Sequence, residues 1–172
     1  MSYRLASLAL VMGLVAAGCS DSPTTPTPPA APQFTSTLLP SNEVPAVTNA
    51  DSAGRGTVTV TLNTTKDAAG NITAATANFQ VTLSGFPANT TLTGAHIHQA
   101  AAGANAGVVV NTGLTNGEIV LSTGSGNFAK NTITVDPAVA QGLINNPPGF
   151  YFNVHTTLNT GGAVRGQLTR SN

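Results

Sequence analysis

Apolar and polar residues alternate with a period of two along much of this chain, the pattern of strands that bury one face. In TVTVTLN (57–63), Val58, Val60 and Leu62 fall on one face and Thr57, Thr59 and Thr61 on the other. Phe79, Val81 and Leu83 alternate in the same way with Gln80, Thr82 and Ser84. The same logic predicts further strands at 34–39, 72–78, 92–98, 107–111, 118–122, 131–135, 150–156 and 163–169. Turn-forming residues separate them: Asp67-Ala68-Ala69-Gly70, Asn116-Gly117, Gly124-Ser125-Gly126 and Asn145-Asn146-Pro147-Pro148-Gly149. Only DPAVAQGLI (136–144) predicts a helix, with Asp136 as N-cap and Pro137 in the first helical position. Many short strands and one short helix predict an all-β fold, either a Greek-key β-sandwich or a flattened β-barrel. The expected core includes Val58, Val60, Leu62, Phe79, Val81, Leu83, Ile97, Phe152, Val154 and Leu168. The chain carries no tandem repeat, only an echo between GRGTV (54–58) and VRGQL (164–168).

Composition agrees and removes some functions. Charged residues are 7% of the chain and the formal net charge is zero. No basic stripe is present to neutralise phosphates, so no nucleic-acid partner is expected. Abundant Thr, Val, Asn and Gly favour strands and tight turns. For hydrolytic catalysis, Glu43, Asp51, Asp67, Glu118 and Asp136 sit near turns or strand starts without the paired spacing that acid–base work needs.

The first residues indicate where the protein works. Arg4 precedes an apolar run from Leu5 to Val15, too short for a permanent membrane helix, and small residues follow. Residues 1–18 therefore read as a signal peptide. Val15-Ala16-Ala17-Gly18-Cys19 also resembles the lipobox of bacterial lipoproteins, which implies that Cys19 is lipidated and becomes the first mature residue. Cys19 is the only cysteine, so no disulfide can form within the chain. Ser20 at the next position resembles the pattern sorted to the outer membrane, and the expected location is the exported face of the bacterial envelope. Residues 19–32, rich in Pro and Thr, cannot bury a core and read as an extended tether. The β domain is expected over 33–172.

The histidines can then be placed on faces. In GAHIHQ (94–99), Ala95 and Ile97 form the apolar side, so His96 and His98 point together to the other. In FYFNVHTT (150–157), Phe152 and Val154 face the core while Tyr151, Asn153 and His155 share the opposite face. Residues i and i+2 on one face are roughly 6–7 Å apart, close enough for two imidazoles to chelate one ion. If the 92–98 and 150–156 strands are neighbours, His155 completes a three-nitrogen site for copper or zinc in a shallow position outside the sandwich. The alternative is three hydrogen-bonded surface residues.

LLPSNEVPAV (38–47), GAHIHQAAAGANAGVVV (94–110) and FYFNVHTTLNTGGAVRGQL (150–168) together resemble the chordin-type CHRD domain, in order and through nearly the whole domain. The resemblance implies an exported single-domain module and leaves its activity open. A more distant resemblance is to the copper-zinc superoxide dismutase fold. Gly94, His96 and His98 match its G-x-H-x-H copper strand, Val154-His155 a later V-H strand, and Arg165 its anion-attracting arginine. A fourth histidine, an aspartate-histidine zinc loop and a disulfide are missing, so this resemblance implies at most one mononuclear site. Glu43, in the first CHRD-like stretch, is expected to be structural, bonding a neighbouring backbone or Arg165. Two functions stay open: a lipid-anchored, non-catalytic module that binds a protein or glycan or supports the envelope, or a mononuclear copper or zinc protein using His96, His98 and His155.

Overall fold

A computed structural model of the chain describes residues 30–172. The leader expected at 1–18, the expected lipidation site Cys19 and nearly all of the expected tether lie outside the described residues. The strands are β1 (Gln33–Leu38), β2 (Arg55–Lys66), β3 (Ile72–Ser84), β4 (Thr90–His98) and β5 (Val108–Asn111). They continue with β6 (Val120–Leu121), β7 (Gly126–Val135), β8 (Tyr151–Thr156), β9 (Val164–Gln167) and β10 (Thr169–Arg170). Among the described residues one α-helix, α1 (Pro137–Asn145), precedes β8.

Two antiparallel sheets face each other, as expected of an all-β sandwich. The first has the order β10-β1-β2-β3-β7, the second β5-β4-β8-β9, with β6 paired to the start of β4. The alternation in β2 and β3 puts the expected residues inside: Val58, Val60, Leu62, Phe79, Val81 and Leu83 are buried against Ile97, Phe152, Val154 and Leu168 of the facing layer. The Phe79 and Phe152 rings stack across the gap with centroids 5.8 Å apart. At about 25 cal/mol per Å² of apolar surface, burial of this kind is the main stabilising term. Helix α1 begins where its capping residues predict, with Asp136 Oδ1 accepting from Ala138 N at 2.8 Å, and it buries Ala140 and Leu143.

Four strand boundaries differ from expectation. The strand expected at 131–135 begins at Gly126, inside the expected turn, and pairs with β3 from there. Strands expected separately at 72–78 and around Phe79–Leu83 are one continuous β3. The strand expected at 118–122 shrinks to β6, because the Glu118 carboxylate is used in a turn, accepting from Thr115 N at 3.1 Å and pairing with Lys130 Nζ at 2.6 Å. The strand expected at 163–169 divides: β9 pairs with β8 in the second sheet, and β10 crosses to β1 in the first. Leu168, fully buried, forms the corner between them.

The two sheets differ on their outward faces. In the first, Thr57 is exposed and Thr59 and Thr61 are half-buried. In the second, every residue of β8 is buried, so Tyr151, Asn153 and His155 are covered along with Phe152 and Val154. The cover comes from connecting segments. Asn42 Nδ2 donates to Arg165 O, and Asn105 Nδ2 donates to Val44 O. Thr156 Oγ1 and Asn159 Nδ2 both donate to Asp51 Oδ2, at 2.7 Å and 2.6 Å. Leu39 and Arg165 exchange backbone hydrogen bonds, which fastens the end of β1 to β9. The expected shallow position on the outside of the sandwich is therefore corrected in part: connecting segments cover His98 and His155, whereas His96 stays half-buried.

Candidate metal centre

Strands β4 and β8 are neighbours, so the condition for the three histidines to meet is satisfied. Their register sets His96 opposite Asn153, His98 opposite Tyr151, and Gly94 opposite His155. Directly opposed residues of an antiparallel pair share a face. Gly94 matters here because it leaves room for a ring: a β-carbon at this position would meet His96 Cε1 at 3.0 Å and Nε2 at 3.3 Å. The His96 ring lies back over the glycine, and its Nδ1 comes 3.0 Å from His155 Nε2.

The other two rings are held from behind. His98 Nδ1 is 2.9 Å from Ala106 O, and His155 Nδ1 is 2.8 Å from Thr160 O. A carbonyl oxygen only accepts, so in each ring Nδ1 carries the proton and Nε2 keeps its lone pair. One nitrogen from each of His96, His98 and His155 lies within 4.8 Å of the others. This is the second-shell arrangement that orients metal-binding imidazoles.

The electrostatics favour neutral rings. Burial pushes His96 down to about 4, and the neighbouring charges of His155 and His98 push the same way. His155 is also lowered, chiefly by burial, against an opposing hydrogen bond to the Thr160 carbonyl and with a further lowering from His98. Neutral imidazole is the form that binds a metal. Three neutral imidazole nitrogens within 4.8 Å of one another are a donor set of the kind that suits copper or zinc.

Arg165, on β9 opposite Asn153, belongs to the same face but is only 1% exposed. Its guanidinium donates to Asn105 Oδ1 at 2.9 Å and to Ala104 O at 3.1 Å, and it lies 4.1 Å from the centre of the Tyr151 ring. That ring in turn stacks parallel to His98, with centroids 4.7 Å apart. Arg165 therefore fastens the 99–107 segment beside His98.

The CHRD-domain family model matches residues 34–168, nearly all of the described chain. The chain belongs to the CHRD-domain family. No curated protein matches it, and no solved structure does. The three stretches of the CHRD domain that carry the resemblance, 38–47, 94–110 and 150–168, meet at one place. The Leu39–Arg165 bridge, the β4–β8 pairing and the Asn105–Val44 hydrogen bond join them around the covered face.

Glu43 of the CHRD domain is buried, and its Oε1 has no hydrogen-bond partner among the described residues. The expected bond to a backbone group or to Arg165 is therefore not made by that oxygen. The carboxyl lies against Gly162, where any β-carbon would collide with it. Burial raises it to about 7, although the Arg165 charge pulls the other way.

Two groups were missed as site residues. Asn153 is 1% exposed, and its Oδ1 lies 3.1 Å from His98 Nε2 and 3.0 Å from His155 Nε2. The alternation in β8 already placed it beside His155, which was the available signal. Asp51, 1% exposed, anchors Thr156 and Asn159 from 105 and 108 positions away, and no local pattern foretells that.

Proposed function

We propose that this CHRD domain is a non-catalytic module of the bacterial envelope, tethered through Cys19, that holds one copper or zinc ion on His96, His98 and His155. The observation that supports the ion is the convergence of three imidazole nitrogens within 4.8 Å, two of the rings having Nδ1 fixed by a backbone carbonyl. A bound divalent ion would add a fixed positive charge under the loop cover and draw the β4 and β8 side chains together. The tether rests on residues 1–32 alone. A protein or glycan partner is the other reading, and it needs no convergence of histidines.

Calorimetric titration of tagless protein with copper and zinc at neutral pH tests the ion. Binding tighter than about 10 μM, roughly 7 kcal/mol, is expected, and replacing any one of the three histidines by Ala should weaken it at least tenfold. Weaker binding in the intact protein would leave the rings as a buried hydrogen-bonded cluster and favour the protein or glycan partner. Acidification should weaken binding because protons compete for the same lone pairs. The lowered values of His96 and His155 place their share of that loss below pH 6.5. For the anchor, Cys19→Ala should release the protein from the membrane fraction or leave it unprocessed.

A further inference from the structure

Three contacts around the histidines have nearly the same length. Asn153 Oδ1 lies 3.1 Å from His98 Nε2 and 3.0 Å from His155 Nε2, and His155 Nε2 lies 3.0 Å from His96 Nδ1. Donor atoms bound at about 2.0–2.1 Å to one tetrahedral ion are about 3.3 Å apart. The amide oxygen thus stands from two imidazole nitrogens at close to the spacing of ligands on a common ion.

The hydrogen-bond bookkeeping leads to the same place. His98 and His155 each commit their Nδ1 proton to a backbone carbonyl, at Ala106 and Thr160, which leaves a lone pair on each Nε2. Both lone pairs face Asn153 Oδ1, itself an acceptor. His96 can offer one proton, from Nδ1 to His155 Nε2, and that does nothing for the two contacts to the amide. Acceptors facing one another at about 3 Å in a buried place are costly, and a cation among them turns each repulsion into a bond. Asn153 is only 1% exposed, so bulk water is a poor substitute for that cation.

We infer that Asn153 is the fourth ligand of the site, binding through Oδ1 beside His96, His98 and His155; the inference rests on the metal-holding function proposed above. The donor set is then three nitrogens and one neutral oxygen, with no sulfur. It takes a divalent ion, copper(II) or zinc, in preference to copper(I), which soft sulfur ligands select. A shell with four protein ligands is closed, and closed shells belong to sites that hold an ion, whereas catalytic sites keep a position free. Asn153 therefore makes the difference between a holding site and an open one.

The experiment compares wild-type protein with Asn153→Leu, similar in volume but without the oxygen, and Asn153→Asp, which keeps an oxygen in place and adds charge. Copper(II) and zinc affinities are measured by competition with a chelator, and the copper(II) form by electron paramagnetic resonance. Asn153→Leu should bind at least tenfold more weakly with an altered copper spectrum, and Asn153→Asp should bind at least as tightly as wild type. Unchanged affinity and an unchanged spectrum in a folded Asn153→Leu protein would overturn the inference, leaving an amide turned to donate from Nδ2 to both rings while the three histidines hold the ion. Absence of binding in the wild type would instead defeat the metal-holding function itself. A crystal structure of the copper- or zinc-loaded wild type gives a reading independent of the variants' folding. Oδ1 at about 2.0–2.2 Å from the ion supports the assignment, and a water molecule in that position refutes it.

Discussion

Arg55-Gly56 and Arg165-Gly166 are the same dipeptide on strands of the two sheets, and their surroundings differ. Both glycines are required by close approach. A β-carbon on Gly56 would meet Thr82 O at 2.6 Å, and one on Gly166 would run into the Thr37 carbonyl. Both arginines point away from the core, Arg55 on the face of Thr57 and Thr59, Arg165 on the face of Asn153 and His96. Yet Arg55 is exposed and Arg165 is 1% exposed. Strand periodicity decides which way a side chain points; whether that side meets water depends on what packs above it. The first sheet presents a plain threonine surface, whereas the second has loops laid over polar side chains that must then satisfy one another.

The largest expected effect breaks this contrast at the arginines. Arg165→Ala strips two charge-assisted hydrogen bonds from Ala104 and Asn105 and uncovers the Tyr151 ring, and should cost about 3 kcal/mol. Arg55→Ala should change stability by no more than about 0.5 kcal/mol. Urea denaturation of both variants checks the pair. Equal losses would mean that the covered face is held by something other than Arg165.

The asymmetry also separates what could be read along the chain from what could not. The β2 and β3 alternation, the Asp136 cap and the faces of His96, His98 and His155 all depend on neighbours within a few residues, and they stand in the structure as expected. The division of 163–169 at Leu168 was invisible because both halves keep strand character; only the corner, where Leu168 N donates to Phe150 O, separates them. The cover itself is long-range. Asn105 meets Arg165 from 60 positions away, and Asp51 meets Thr156 from 105. No spacing rule connects such residues. Asn153 falls between these cases: its face was legible, but its place between two imidazoles follows only from the β4–β8 register.

A second test uses pH, since the covered face holds groups shifted in opposite directions. Glu43 is raised from 4.5 to about 7, so the folded state binds its proton more readily than the unfolded chain does. That group contributes stability below about pH 4.5 which is lost as pH rises through 7. His96 is lowered from 6.5 to about 4, so its contribution is present above 6.5 and lost as pH falls toward 4. In metal-free protein, Glu43→Gln should therefore be more stable than wild type by about 1–3 kcal/mol at pH 8 and nearly equal to it at pH 4. His96→Gln should flatten the acid side of the stability profile. Thermal melts across pH 4–8 give both curves. A Glu43→Gln advantage independent of pH would show that repacking against Gly162, rather than charge burial, governs that carboxyl.

The smallest effect is the sharpest comparison, because it uses one chemical change on both faces. Thr→Val keeps the shape of the side chain and removes only the hydroxyl. Thr156 is fully buried and its Oγ1 donates to Asp51 Oδ2 at 2.7 Å while accepting from Asn159 N at 3.0 Å. Thr156→Val leaves a buried carboxylate short of one donor and a backbone N–H without its acceptor, at an expected cost of about 1–3 kcal/mol. Thr57, exposed on the first sheet, pairs across the ladder with Thr37 and Thr82, and nothing covers it. Valine fits a strand at least as well as threonine, so Thr57→Val should stay within about 0.5 kcal/mol of wild type. Denaturant midpoints of the two variants, measured side by side, read the difference directly. Similar losses at both positions would mean that the hydroxyls of the open sheet do structural work that its exposure conceals, and the contrast between the faces would have to rest on the arginines alone.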